Sequence, residues 1–462
     1  MAGVASAKSE ACLAVQNCRP GDRHPSGPNM KTMIESDSGI HVGARSGPGL
    51  YGWYVTFALM LCATLSFLDS QLPYILVESI KADLKLTDTE IGFIGGPAFS
   101  FTYAICALPI AKLSDRTVRK SVICVAIVVW STMTAAAALA QGFATFAFSR
   151  VGVALGESAL TPAANSIISD NTTPNTRPIA IAIYTLGAPI GAALALGLGG
   201  IINDRYGWRM ALVLVGGVGV ILSLLVGLTV REPIRRGDAG SGDLPKGDLR
   251  SLLSDPTMRH ILLGGSLTGL SFGAIGSWGP AYVMRTFHLP AAQVGPAFGG
   301  ALGVVGIIGM LAGGFTAGWL ATRRPGAAFR WVALFLVVAT GAQFAGLVAT
   351  SFGVFLVFTA LSTLCITFYS APTLAAVQAL VDPSARSFAA AVTLFCISGI
   401  GLASGTFLTG FLSDQLRPEF GADSLRWALL IPTFARLWAA AHYYLAARSM
   451  ERAGRVRGNG ED

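Results

Sequence analysis

The sequence predicts an all-α integral membrane fold, with twelve transmembrane helices in two pseudo-symmetric six-helix bundles. Three observations predict it. Apolar residues make up 53% of the chain and charged residues only 13%, roughly half the usual charged share of about 25%. Twelve stretches are apolar over the ~20 residues that a bilayer crossing needs. Short motifs at the helix junctions recur in both halves of the chain. So few charges cannot cover a soluble surface, whereas a lipid-facing surface has no use for them.

The stretches lie at approximately 52–79, 91–112, 121–140, 143–168, 179–202, 208–230, 259–283, 294–321, 330–349, 352–378, 387–412 and 425–447. Residues 1–49 hold Gly, Pro, Ser and scattered charges, without an apolar run and cleavage site, and are expected to form a disordered cytoplasmic tail. Residues 50–230 then form an N-terminal six-helix bundle, 231–258 a polar cytoplasmic central loop, 259–447 a C-terminal six-helix bundle and 448–462 a cytoplasmic tail. Pro73, Pro97, Pro162, Pro189, Pro280 and Pro372 fall inside the stretches and are expected to kink them.

Basic residues set the orientation. With the N-terminus inside, 24 Lys and Arg fall on the cytoplasmic side, among them Lys112, Arg116, Arg119, Lys120, Arg231, Arg235 and Arg236. Seven fall on the other side: Lys81, Lys85, Arg205, Arg209, Arg285, Arg417 and Arg426. Both termini are expected inside, in a bacterial cytoplasmic membrane. The sequon Asn171-Thr172-Thr173 then faces the cytoplasm and has no glycosylation role.

Three junctions repeat. Arg177 opens helix 5 as Arg386 opens helix 11. Gly200-Ile201-Ile202-Asn203-Asp204, before Trp208-Arg209, matches Gly410-Phe411-Leu412-Ser413-Asp414, before Arg426-Trp427. Ala111-Lys112-Leu113-Ser114-Asp115-Arg116 matches Gly318-Trp319-Leu320-Ala321-Thr322-Arg323. The spacings run from 207 to 210 residues (Asp115 to Thr322, Asp204 to Asp414). Duplicated halves are the usual build of secondary transporters, with a site between them.

Other function classes lack their chemistry. The net charge of +8 sits in loops between apolar stretches rather than in a basic patch interleaved with aromatics, so no nucleic acid partner is expected. The seven cysteines form no CxxC or Cys/His cluster. Five histidines show no HExxH spacing, and no GxxxxGK[ST] loop is present. Neither an enzyme, a metal site nor a cofactor is expected.

The chain resembles the major facilitator superfamily over 50–448, on the helix 2–3 loop Ala111-Lys112-Leu113-Ser114-Asp115-Arg116-Thr117-Val118-Arg119-Lys120. That family's pattern is roughly G-x-L-x-D-R-x-G-R-K; both glycines are replaced here, by Ala111 and Val118. The resemblance implies a cytoplasmic gate at Asp115, Arg116, Arg119 and Lys120. Within the family, Ser66-Phe67-Leu68-Asp69-Ser70 in helix 1 and Ser149-Arg150 to Glu157 in helix 4 are similar to the Spinster-like branch. Ser70 stands where that branch usually has a basic residue. The branch implies lipid-like, lysolipid or organic-anion substrates.

An ionisable group at membrane depth is expensive and therefore a functional candidate. Arg150 and Glu157, seven residues apart, share a helix face about 10 Å apart along the axis. Glu157 falls near the midplane, with Arg150 roughly 8 Å and Asp69 roughly 6 Å outward of it. Asp69 and Arg150 can therefore pair, leaving Glu157 without an obvious partner. Desolvation disfavours a charged carboxylate, so Glu157 and Asp69 are the proton-coupling candidates. Arg150 and Ser70 are substrate-binding candidates; the alternative is a fixed network tying helices 1 and 4. Tyr184, Trp278, Tyr282 and Tyr369 are further substrate candidates, with packing or interfacial aromatics as the alternative. Arg436, midway along helix 12, has no partner apparent in the sequence.

The expected function is secondary transport of a small amphiphile or organic anion by alternating access, proton-coupled, by a monomer in the lipid bilayer. The alternatives are uncoupled efflux of lipid-like molecules or drugs, and a transporter-like membrane sensor.

Overall fold

The computed structural model describes residues 49–173, 175–232, 249–321, 326–382 and 385–458. Residues 1–48 of the expected tail 1–49, residues 459–462 of the expected tail 448–462 and residues 233–248 of the expected loop 231–258 lie outside them, as does the side chain of Asp115.

Each of the twelve predicted stretches is essentially helical, and no strand occurs among the described residues. The first half contains α1 (Leu50–Ile75), α2 (Asp88–Phe93, through a π turn Ile94–Ala98, into Phe99–Arg116), α3 (Arg119–Ala137) and α4 (Phe143–Glu157, then Leu160–Asn171). α5 begins at Arg177–Thr185 and continues into the element Gly187–Thr229, which reverses at Gly207 to give α6. There φ is 83°, a left-handed value that glycine adopts without Cβ strain.

The second half repeats this plan. α7 is Pro256–Phe287, α8 runs Ala291–Pro296, π turn Ala297–Leu302 and Gly303–Ala321, and α9 is Ala327–Leu347. α10 runs Phe352–Thr367 then Ser370–Leu380, α11 runs Arg386–Leu394, π turn Phe395–Leu402 and Ala403–Phe420, and α12 is Ser424–Gly458. By length and hydropathy, nine helices of the described residues can cross a membrane; two of these, Arg177–Thr229 and Phe388–Arg452, contain the reversals at Gly207 and Gly421.

The prolines act at specific places. Pro97 sits in the π turn of α2. Pro162 and Pro372 stand in the first turn after the breaks in α4 and α10, where a missing N–H costs least. Large apolar side chains such as Val218, Ile221, Leu224 and Leu228 on α6 and Leu334, Val337 and Trp331 on α9 point outward. That outward apolar surface suits lipid.

Three buried apolar cores organise the described residues. One joins the two halves, from Leu72, Ile75, Ile94 and Leu196 to Trp278, Tyr282, Phe298 and Phe355. It lies at the end of the bundle carrying the α1–α2, α5–α6, α7–α8 and α11–α12 junctions, called here the closed end. The second, around Trp130, Val153 and Ile167, draws only on the first half; the third, around Phe329, Leu336 and Tyr443, only on the second. These two fill the halves toward the opposite, tail end. The halves thus share packing at the closed end and keep separate interiors toward the tail end.

Candidate functional site

α1 and α4 bring Asp69, Ser70, Arg150 and Glu157 together within the first half. Asp69, Arg150 and Glu157 are each at most 4% exposed. The Arg150 guanidinium reaches an Asp69 carboxylate oxygen at 3.3 Å and the Asp69 backbone carbonyl at 3.5 Å. Phe99 of α2 lies 5.6 Å from the same guanidinium, so its ring face also favours the cation. Thr134 of α3 donates its hydroxyl to the other Asp69 oxygen. The pairing expected from helix rise is present, with Thr134 as a third member that periodicity could not single out.

Glu157 differs from the expectation. Ser70, one residue beyond Asp69, donates its hydroxyl to Glu157 Oε2 at 2.9 Å. Glu157 Oε1 is buried without a hydrogen-bond partner. The site therefore contains one acid paired with a guanidinium and another that receives the neutral Ser70 hydroxyl. An ionised carboxylate left one lone-pair set short at this burial costs more than a neutral one would. Ser70 thus meets Glu157 with a neutral hydroxyl.

The remaining substrate candidates are placed differently. Tyr184, buried on α5, approaches the Thr161 hydroxyl at 3.5 Å. Trp278 is 1% exposed and donates its indole N–H to the Thr406 carbonyl at 2.8 Å. Tyr282 is fully buried and donates to the Leu347 carbonyl at 2.8 Å. Both belong to the core at the closed end, with their polar tips spent on backbone. Tyr369 packs edge-on against Tyr443 of α12. Hydrogen bonds gather the first four residues; among the described residues none joins these aromatics to Asp69, Arg150 or Glu157.

Arg119 and Lys120, implied as a gate between halves, make their described contacts inside the first half. Arg119 holds Asp170 at 2.6 Å and Ser166 at 2.7 Å on α4, and Glu232 beyond α6 at 3.1 Å. Lys120 reaches the Gly227 carbonyl at 3.0 Å, and its backbone N–H donates to Glu232 at 2.8 Å. Arg116 is exposed. Asp170 and Glu232 were missed because each reads as an ordinary loop-flanking charge.

A second polar cluster, also missed, bridges the halves at the closed end. Arg285 of α7 binds Asp88 at 2.8 Å and Glu78 at 2.7 Å. Asp88, 1% exposed, also receives Lys81 and the Ser413 hydroxyl of α11 at 2.8 Å. The second half has its own buried cation. Arg436 is fully buried and donates to Ser271 of α7, Ser362 of α10 at 2.6 Å and the Ala339 carbonyl of α9 at 3.1 Å. Its partners are hydroxyls and a carbonyl, which a sequence search for acids overlooks.

A bundle of apolar helices with ion pairs buried at its heart and a seal at one end has the build of a membrane transporter, not of a soluble catalyst. The family model of the Major Facilitator Superfamily matches residues 59–406, and the chain belongs to that superfamily. It is 34% identical over 429 residues to an MFS-type efflux pump of Mycolicibacterium smegmatis, covering 91% of this chain and 97% of that protein. It is 28% identical over 396 residues to the hexuronate transporter of Bacillus subtilis, covering 82% and 92%. Among solved structures it is similar to a bacterial homologue of the human lysosomal transporter Spinster in an inward-facing, unoccupied conformation. That match has a TM-score of 0.80 and 27% identity, covering 87% of this chain and 98% of the other. The chain is a membrane transporter of that superfamily with likeness to Spinster proteins, and the expectation of a transporter rather than an enzyme holds.

Proposed function

We propose that this chain is a secondary active transporter that couples protons to the movement of a small amphiphilic or organic-anion substrate. The observation that carries this is Glu157, buried beside the Asp69–Arg150 pair with one oxygen lacking a partner. Protonation of Glu157 removes the charge that the site leaves uncompensated. An anionic substrate group arriving at Arg150 competes with Asp69 for the guanidinium, which binds carboxylate or phosphate equally well. Asp69 then keeps Thr134 as its donor and can take up a proton, so substrate binding and proton binding become linked.

The separate interiors at the tail end suit a state open on that side, and the basic residues at that end suit the cytoplasm. The proposal is therefore an inward-facing monomer in a bacterial cytoplasmic membrane, with both termini inside and the two six-helix bundles as the moving bodies. The similar hexuronate transporter, by name, moves a carboxylated sugar, which fits an anion at Arg150. The similar efflux pump, by name, supports export as the direction.

Counterflow in proteoliposomes tests this, using a panel of sugar acids, fatty acids and lysophospholipids with and without a pH gradient. Exchange of one anionic or amphiphilic class that accelerates with the gradient is expected. Exchange of that class with no response to the gradient, at any pH, would refute coupling and leave uncoupled efflux.

A further inference from the structure

The two junction motifs that repeat, Gly200 to Asp204 and Gly410 to Asp414, do the same thing in the structure, each to the opposite half. Asp414, in the C-terminal half of the segment Ala403–Phe420 of α11, accepts from the backbone N–H groups of Asp88 and Thr89 at 3.2 and 2.7 Å, and from the Thr89 hydroxyl at 2.6 Å. Those are the first residues of α2. Asp204, at the end of α5, accepts from the backbone N–H of Ala292 at 2.8 Å, in the first turn of α8. A helix N-terminus carries unpaired N–H groups and a partial positive charge, and a carboxylate satisfies both.

The glycine four residues earlier is the other half of the device. A Cβ at Gly410 would lie 2.2 Å from the Asp88 carbonyl oxygen, and one at Gly200 would lie 2.3 Å from the Ala291 carbonyl oxygen. Each glycine therefore lets α11 or α5 approach the first residue of the opposing helix, which brings the aspartate within reach of its N–H groups. The match continues down both seams. A Cβ at Gly92 or Gly96 of α2 would meet the carbonyls of Thr406 and Ala403, and one at Gly295 or Gly299 of α8 would meet those of Leu196 and Ala193. The duplicated glycines thus face duplicated backbone atoms.

We infer that Gly200/Asp204 and Gly410/Asp414 are a reciprocal pair of latches that hold the closed end shut, each half capping a helix of the other. Opening that end separates both carboxylates from their helices, so the latches favour the state seen here over the state open at that end. This rests on the alternating-access reading and adds which residues set its balance. Because the two latches are related by the duplication, they load both seams alike, and the release of one weakens but does not free the end.

The test reads which end is open, not transport. Ser277→Cys places a thiol at a buried position beneath the latches, and an impermeant thiol reagent is applied to the closed-end side of intact cells. An aspartate cap lost to alanine shifts a helix equilibrium roughly fivefold, and typically somewhere between twofold and thirtyfold. Asp204→Ala and Asp414→Ala should therefore each speed labelling about fivefold, and the double variant about twenty-five-fold if the seams act independently. Gly200→Ala and Gly410→Ala, which alter no charge, should also speed it. Monodisperse elution and normal surface amount establish that each variant is folded. Unchanged labelling in the folded double aspartate variant, or in both glycine variants, overturns the latch. Failure to find a substrate or a pH response bears only on the proton and substrate proposal and leaves this readout intact.

Discussion

Removing the Asp69 charge should destabilise the protein far more than removing Asp69 and Arg150 together. Arg150 is 3% exposed and Asp69 1%, so neither charge has water to fall back on. In Asp69→Asn the amide keeps the shape and can still accept from Thr134, but Arg150 is left with the residue-69 carbonyl at 3.5 Å and the Phe99 ring at 5.6 Å. A buried charge stripped of its partner costs about 3–5 kcal/mol. In Arg150→Met the stranded group is a carboxyl that can neutralise itself with a proton, and Thr134 still serves it, so the cost falls to about 1–3 kcal/mol. The double variant holds no stranded charge and should lie within about 1–2 kcal/mol of the native protein. The coupling energy is then at least ~2 kcal/mol, well above the scatter of about 0.5 kcal/mol seen for independent sites. Equilibrium unfolding in mixed micelles, followed by tryptophan fluorescence for the native protein, both single variants and the double, measures it. Additive costs would refute the pair as a coupled unit, and with it the idea that substrate competes with Asp69 for Arg150.

Three further outcomes follow from named contacts. Glu157→Gln keeps size and the Ser70 contact but cannot release a proton, so proteoliposomes should retain counterflow while substrate uptake loses its pH-gradient stimulation; full stimulation in that variant would end the role given to Glu157. Arg119→Gln strands Asp170 and Glu232 at the tail end of α3, α4 and α6 and should cost about 2–4 kcal/mol in the same unfolding assay, a loss below 1 kcal/mol counting against a structural brace. Arg436→Ala opens a cavity and should cost about 2–5 kcal/mol, whereas Arg436→Met should recover most of it; equal losses would mean that the charge, and not the volume, is what the second half needs.

Parts of the site were legible because membrane depth is readable from helix rise. Asp69 and Arg150 fall at one depth on antiparallel helices, so the acid and the costly cation are within reach of each other. Ser70 was named for its position, but its bond to Glu157 was not, since serines in membrane helices most often bond back to their own helix. Trp278 and Tyr282 were illegible for a related reason. An aromatic with a polar tip can line a cavity or spend that tip on a carbonyl four helices away, and only packing decides. The Asp88–Arg285 cluster reads in sequence as loop charges on one side of the membrane; its meaning lies in the meeting of the two halves. The junction glycines and aspartates were visible as a repeat, yet a repeat reports ancestry, and the cross-half caps appear only when each motif is followed to the helix it touches.

The same duplication explains why Arg436 survives at a depth where a cation is costly. Phe143 and Phe146 open α4 as Phe352 and Phe355 open α10, an offset of 209 that sets Trp130 against Ala339 and Thr134 against Gln343. The α5–α6 and α11–α12 junctions, with Arg209 against Arg426, set Gly219 against Arg436. In the first half the large side chain comes from α3: Trp130 is fully buried, and Gly219 of α6 lies so near α3 that a Cβ would overlap the Ser131 hydroxyl. In the second half α9 has Ala339 at the aligned position, and Arg436 of α12 donates to its carbonyl at 3.1 Å. At these aligned positions one half has Trp on α3 and Gly on α6, the other Ala on α9 and Arg on α12. Interiors tolerate such swaps when total volume is kept. The swap also changes the chemistry: an indole N–H without a partner in the first half, a guanidinium braced on three helices in the second. The first half, free of a cation at that position, pairs the buried Arg150 with Asp69, and the second half, which places Gln343 and Thr359 where the first has Thr134 and Arg150, has no acid on α7 to answer Arg436. The proposed proton exchange therefore rests on first-half residues alone, while Arg436 ties three helices of the second half together.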